Sequence, residues 1–170
     1  MVVLRGERVL LRPGRPEDTQ RLRQIRSEPG VTRWWGSADI EEEVREEFID
    51  SDNAFVIEVE GDVVGAIQYH EENEPMYRHA GMDIYLSVSR QGEGLGTEAL
   101  RVLARYLFDE RGHHRLTIDP AAVNAAAIRT YERVGFRRVG IMRKYERGPE
   151  DVWHDGPLMD MLKEEFHSNQ

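Results

Sequence analysis

Glycine recurs at positions 92, 94 and 96 within Arg-Gln-Gly-Glu-Gly-Leu-Gly, residues 90–96, a spacing that permits anion binding by main-chain N–H groups. The stretch follows a predicted strand over 83–88. It opens a predicted helix with the apolar stripe Leu95, Ala99, Val102, Leu103, Tyr106 and Leu107. The first N–H groups of a helix have no partner within it and lie at the positive end of its dipole. A phosphate can approach them closely only where side chains are absent, which glycine at several positions supplies. Two familiar phosphate loops are excluded: no Gly-Lys-Ser/Thr ending follows, and the glycines alternate without the wider dinucleotide-fold interval. A plain glycine turn capping a helix is the competing reading of this stretch alone.

The other residues able to bind metals or form covalent intermediates are sparse. The chain has no cysteine, so disulfides, thiolate nucleophiles and thiolate-bound metals are excluded. His113 and His114 are adjacent at a predicted helix-to-strand junction, where both cannot easily hold one ion. His70, His79, His154 and His167 show no ligand spacing, so no metal is expected.

The elements that must position the loop follow from patterning. Short apolar runs at 2–5 and 9–12 flank Gly6-Glu7-Arg8 and predict a strand pair. Pro16, Glu17 and Asp18 start a helix to about Ser27, and Pro29-Gly30 breaks it. Trp34-Trp35-Gly36 then falls in a region of loop composition, with one tryptophan expected in the core and the other free to wall a site. Asp39 and Glu42 form a predicted capping box before Ile40, Val44 and Phe48, a helix to about Asp50. Runs at 54–59 and 63–69 around Glu60-Gly61-Asp62 predict a hairpin, and 71–80 a polar loop. After the glycine helix, to about Arg111, come a strand at 114–119 and a helix capped by Asn124 and ended by Gly135. Strands at 137–145 and 157–162 complete the chain. The order is α+β, expected to form one domain over 1–170.

Length and composition agree with a single soluble domain: 170 residues, 39% hydrophobic and 32% charged. No apolar run reaches membrane-span length and no signal-peptide layout is present, so the expected location is cytoplasmic, without a membrane partner. A net charge of -9 argues against a nucleic-acid partner and for a cationic one.

Gln91, Gly94 and Gly96, read as Gln-x-x-Gly-x-Gly, resemble the acetyl-CoA pyrophosphate loop of the GNAT N-acetyltransferase superfamily. Residues 124–136, Asn-Ala-Ala-Ala-Ile-Arg-Thr-Tyr-Glu-Arg-Val-Gly-Phe, resemble that superfamily's Asn-x-x-Ala-x-x-x-Tyr-x-x-x-Gly-Phe helix. Both occur in the family's order. The resemblance implies a mixed, mostly antiparallel sheet of about six to seven strands flanked by about four helices. It implies acetyl-CoA as acyl donor, contacted by Val88, Arg90, Gln91, Gly92, Gly94, Gly96, Thr97 and, at the pantetheine arm, Asn124. Trp34-Trp35-Gly36, Gly81-Met82-Asp83, Asp119-Pro120 and Asp155-Gly156-Pro157 look most like aminoglycoside 6′-N-acetyltransferases. By that likeness Trp35, Asp119 and Asp155 would meet a small cationic amine, and antibiotic resistance would be the associated trait. The loop at 71–80 departs from it, being short and without tryptophan.

An amine attacks a thioester only when unprotonated, and an alkylamine of lysine type has a pKa near ~10.4. Asp83 is the candidate to orient the ammonium and relay its proton, directly or through a water. The resemblance implies an oxyanion donor at or near the Val88 amide, and Tyr131 as the acid that protonates the CoA thiolate. Transfer is expected to be direct, with no acyl-enzyme. A protein N-terminal or siderophore-pathway acyltransferase, a non-catalytic acyl-CoA-binding module and a homodimer stay open.

Overall fold

The computed structural model describes residues 2–36, 38–121, 124–148 and 150–168. In chain order the elements are β1 (Leu4–Arg5), β2 (Val9–Arg12), α1 (Thr19–Arg26), α2 (Pro29–Trp35), α3 (Ile40–Glu43), β3 (Ala54–Val59), β4 (Asp62–Glu72) and β5 (His79–Leu86). Then follow α4 (Leu95–Asp109), β6 (Arg115–Ile118), α5 (Ala125–Val134), β7 (Arg137–Arg147), β8 (Trp153–Leu162) and α6 (Lys163–Ser168). The strands form one mixed sheet in the order β1-β2-β3-β4-β5-β6-β8-β7. The described residues thus carry eight strands and six α-helices, more than expected, in the anticipated mixed arrangement. The chain divides into two compact units, residues up to 69 with 83–102, and residues 70–82 with 103 onward.

In the first unit β1, β2, β3 and β4 pair antiparallel in succession. The β3–β4 turn has φ of 52° at Glu60 and 87° at Gly61. Two successive positive φ values match the twist of the flanking strands, so a two-residue connection suffices. Leu22, Ile25, Val31, Val44 and Phe48 pack with Ala54, Val56, Val63, Ala66 and Tyr85 to form the core. Two buried arginines pin the helices. Arg12 donates to both oxygens of Asp18, at 2.8 and 3.0 Å, and Arg26 to both oxygens of Glu43, at 2.8 and 2.7 Å.

Two expectations in this unit fail locally. Pro29-Gly30 does end the first helix, but Pro29 then opens α2, where a missing N–H leaves no bond unmade. Trp34 and Trp35 are therefore helical. Asp39 makes no capping bond because its φ of 44° is left-handed, not the extended conformation a cap needs. Beyond α3 the helix widens into a π-helical turn over Val44–Ile49, with Val44 and Phe48 buried.

In the second unit β6 and β8 pair antiparallel, as do β8 and β7, and β6 runs parallel to β5 at Ala80↔Leu116 and Gly81↔Thr117. The polar loop is shorter than the predicted 71–80, because Glu71 and Glu72 continue β4 and His79 begins β5. Glu71 belongs to the strand for a physical reason: its carboxylate meets Arg111 at 3.1 and 2.8 Å and buried His113 at 2.7 Å. β8 begins at Trp153, earlier than the predicted residue 157. α6 follows it without any helix having been expected there.

Candidate active site

The glycine loop is built on alternating backbone handedness. Gly92 has φ +79° and Gly94 +81°, a region that side-chain-bearing residues rarely adopt. Left-handed residues alternating with ordinary ones can turn successive N–H groups to one side and form an anion-binding concavity. The alternation therefore serves the sign of φ as well as the space over the chain. A Cβ on Gly92 would meet nothing within 4 Å; one on Gly94 would lie 3.2 Å from Arg8 Nη2.

Side chains hold this loop in place. Gln91 Nε2 donates to the Leu86 carbonyl at 3.1 Å, and Arg90 Nε to Glu93 at 3.0 Å. Thr97 lies in the first turn of α4, beside Glu98. Glu98 accepts the Arg8 and Val9 amides at 2.6 and 3.0 Å and Arg8 Nε at 3.1 Å. Burial alone would raise the Glu98 carboxyl, but the amide bonds from Arg8 and Val9 and the guanidinium turn the net shift downward.

Glu28 grips the turn before the loop. Its carboxylate accepts Ser87 Oγ–H at 2.8 Å and the Val88 amide at 2.7 Å. The amide at or near Val88 was the expected oxyanion donor, and the Val88 N–H itself donates to the Glu28 carboxylate here. A Cβ on Gly30 would come within 2.6 Å of Val88 Cγ2, so the first turn of α2 lies directly against this residue. Asp83 is half-buried on β5. Trp35 leans edge-on to Tyr85 at 5.1 Å and tilts on Phe48 at 6.4 Å, so it packs on the core, with Arg26 over its ring. Trp34 is half-buried and covered by Arg33 at 4.6 Å.

The second unit carries the other expected residues. Asn124 Oδ1 caps α5, accepting the Ala127 amide at 3.1 Å. Tyr131 lies on the buried face of α5 with Ile128 and Val134, its ring edge-on to Phe136 at 6.4 Å. A Cβ on Gly156 would sit 3.8 Å from the Pro120 carbonyl oxygen, so the segments carrying Asp119 and Asp155 adjoin. Asp155 Oδ1 accepts the Lys144 amide at 2.8 Å and holds a left-handed kink, φ 47°, in β7.

Glu146 joins this group. Burial pushes its carboxyl up, the charge of Asp119 adds to that, and His154, its register partner on β8, opposes it. The hairpin thus sets Asp119 and Glu146 close enough to repel, while Asp155 is exposed at the adjoining strand.

Arg8, Glu28 and Glu146 were not expected at the site. No local pattern marks them: Arg8 is 85 residues from the Glu93 carbonyl it contacts, and Glu28 is 60 from Val88. Glu146 is an ordinary strand carboxylate until pairing places it. His113 proves structural. It is buried, with Nε2 on Glu71, and Arg111 first, then His113, hold the Glu71 carboxyl down at about 2. Among the described residues no group of histidine, aspartate and glutamate is placed to hold a metal ion. No helix among them is long and apolar enough to cross a membrane.

Comparison with known proteins agrees with this architecture. Residues 8–137 match the model of the acetyltransferase (GNAT) domain. Aminoglycoside N(6′)-acetyltransferase type 1 of Klebsiella pneumoniae is 28% identical over 93% of this chain and 84% of its own length. Spermidine N(1)-acetyltransferase of Escherichia coli K12 is 29% identical over 75% of this chain and 72% of its own. Among solved structures, a GNAT-family acetyltransferase from Bacillus anthracis superposes with TM-score 0.85 at 22% identity, covering 96% of this chain and all of that one. An aminoglycoside acetyltransferase in complex with coenzyme A gives 0.76 at 25% identity, covering 94% and 98%. With most of its length matched by the domain model, the chain belongs to the GNAT acetyltransferase family.

Proposed function

We propose that the protein transfers the acetyl group of acetyl-CoA directly to a primary amine of a small polycation. The observation that carries the donor half is the left-handed pair Gly92 and Gly94 at the head of α4, a main-chain anion cradle of the kind a pyrophosphate fits. The acceptor half rests on Asp119, Glu146 and Asp155 together with relatives named for acting on aminoglycosides and spermidine. A carboxylate pushed up by burial and by a neighbouring negative charge, as Glu146 is, favours an ammonium group beside it, which relieves both.

In this reading the neutral amine attacks the thioester carbon. The nitrogen–carbon bond forms, the carbon–sulfur bond breaks, and the amine's proton leaves through Asp83, directly or by a water. Tyr131 gives a proton to the departing CoA thiolate, yielding an N-acetylated amine and free CoA thiol. Val88 contributes through its place in the loop rather than through its amide, which Glu28 holds. Asn124 is assigned to the pantetheine arm and Trp35 to the acceptor side.

Release of CoA thiol from acetyl-CoA, measured with spermidine, several aminoglycosides and a peptide with a free N-terminus, tests the reading. Turnover with the polycations and none with the peptide is the expected result. Turnover with the peptide alone would transfer the activity to protein N-termini.

A further inference from the structure

Arg8 belongs to neither motif, yet its guanidinium reaches the glycine loop. Nε donates to Glu98 at 3.1 Å, Nη1 to the Glu93 carbonyl at 2.8 Å, and Nη2 lies 3.2 Å from where a Gly94 Cβ would stand. Glu98 fixes the arginine in turn by accepting the Arg8 and Val9 amides. The Glu93–Gly94 peptide is trans, so its carbonyl and the following N–H point to opposite sides. Pinning the Glu93 carbonyl towards Arg8 therefore turns the Gly94 N–H away from it.

We propose that Arg8 is a positioning residue for the acyl donor: by holding the Glu93 carbonyl it presets the Gly94 N–H towards the pyrophosphate, and Glu98 locks Arg8 for that task. The inference rests on the acetyl-CoA reading above. A glycine loop is the backbone with the most freedom to lose, and its peptides rotate cheaply unless something outside them sets their direction. The rigid fork of arginine can hold two acceptors at once, Glu98 and the carbonyl; a lysine ammonium supplies the charge but not that fork.

The test uses the full chain and two variants, Arg8→Gln and Arg8→Lys, with acetyl-CoA and S-acetylpantetheine, a donor without the pyrophosphate. Binding of acetyl-CoA is measured by calorimetry, donor use by thiol release with spermidine, and folding by thermal melting without ligand. Arg8→Gln is expected to weaken acetyl-CoA roughly tenfold, the effect of one charge-assisted contact, and to leave kcat/KM for S-acetylpantetheine unchanged. Arg8→Lys keeps the charge and the stem, so it folds, and should recover only part of the loss.

Equal weakening of both donors would make Arg8 a general support of the fold and overturn the inference. Full recovery in Arg8→Lys would overturn it too, since charge alone would then suffice. Wild-type affinity in both variants overturns it while the acetyl-CoA reading stands. A wild-type protein that binds no acetyl-CoA removes both.

Discussion

The glycine loop and the β7–β8 hairpin are constructed in opposite ways. Residues 87–98 form a short segment in which Glu28 holds the Val88 amide and Arg8 the Glu93 carbonyl, while its own Gln91 and Glu98 reach out to the Leu86 carbonyl and the Arg8 amide. The hairpin is long, its register shifts between Arg138 and Gly140 and again between Met142 and Glu146, and Val139, Ile141, Tyr145, Val152 and Trp153 are exposed on it. The loop presents backbone, which any sequence supplies once its φ angles are set. The hairpin presents side chains, which can change without disturbing a main chain. A constant ligand group such as a pyrophosphate suits the first, and an acceptor that differs between relatives suits the second.

That contrast breaks most sharply at Gly94. Gly94→Val forces a branched side chain into a φ of +81° and against Arg8, and acetyl-CoA binding by calorimetry should fall by about a hundredfold or more. Retained affinity would mean that the loop does not hold the donor. Tyr131→Phe comes next: kcat should drop roughly a hundredfold with little change in acetyl-CoA KM, the size expected of a lost general acid. A wild-type rate would leave Tyr131 as packing.

On the hairpin side, Glu146→Gln and Asp119→Asn should each raise the amine KM about tenfold and leave acetyl-CoA KM alone. Equal rises for both substrates would show damage to the fold rather than loss of an ammonium contact.

Acid should loosen the second unit through Glu71 and His113. The Glu71 carboxyl lies at about 2 against an ordinary 4.5, so its stabilisation is complete above pH 4.5 and is lost as pH falls towards 2. His113 is lowered from 6.5, mainly by burial, so the stability of its neutral form is likewise lost as pH falls below 6.5. Glu71→Gln should cost about 1–3 kcal/mol at pH 7 and flatten the fall in Tm between pH 4.5 and 2. An unchanged Tm-against-pH curve would remove the carboxylate from this role.

The smallest effect is expected at Tyr85, whose hydroxyl is buried without a hydrogen-bond partner among the described residues. Burial also raises its pKa, so the group stays neutral. Tyr85→Phe should leave stability within about 0.5 kcal/mol or increase it, because no bond is lost and one desolvated hydroxyl is removed. A clear fall in Tm would reveal a partner for that hydroxyl.

Much of this molecule is legible one segment at a time. The β3–β4 turn, the cap at Asn124 and the end of α5 at Gly135 depend on residues within a few positions of one another, and each forms where the sequence predicts it. Asp39 shows where such reasoning stops: the right residue for a cap takes a left-handed conformation there instead. α2 and α6 were missed for a related reason, since both are short and owe their helicity to the chain packed around them.

By itself the sequence determined the order of the strands and of the longer helices, the placing of glycine at the head of α4 and the family, because these are local patterns of side-chain size, polarity and backbone freedom. Only the tertiary structure decided that Arg8 reaches the loop with Glu98 holding Arg8, that Glu28 holds the Val88 amide, and that burial and then the charge of Asp119 push the Glu146 carboxyl up. Hydrogen bonds and charges act over a few ångströms of space, and residues 60 to 90 positions apart along the chain meet only after it has folded.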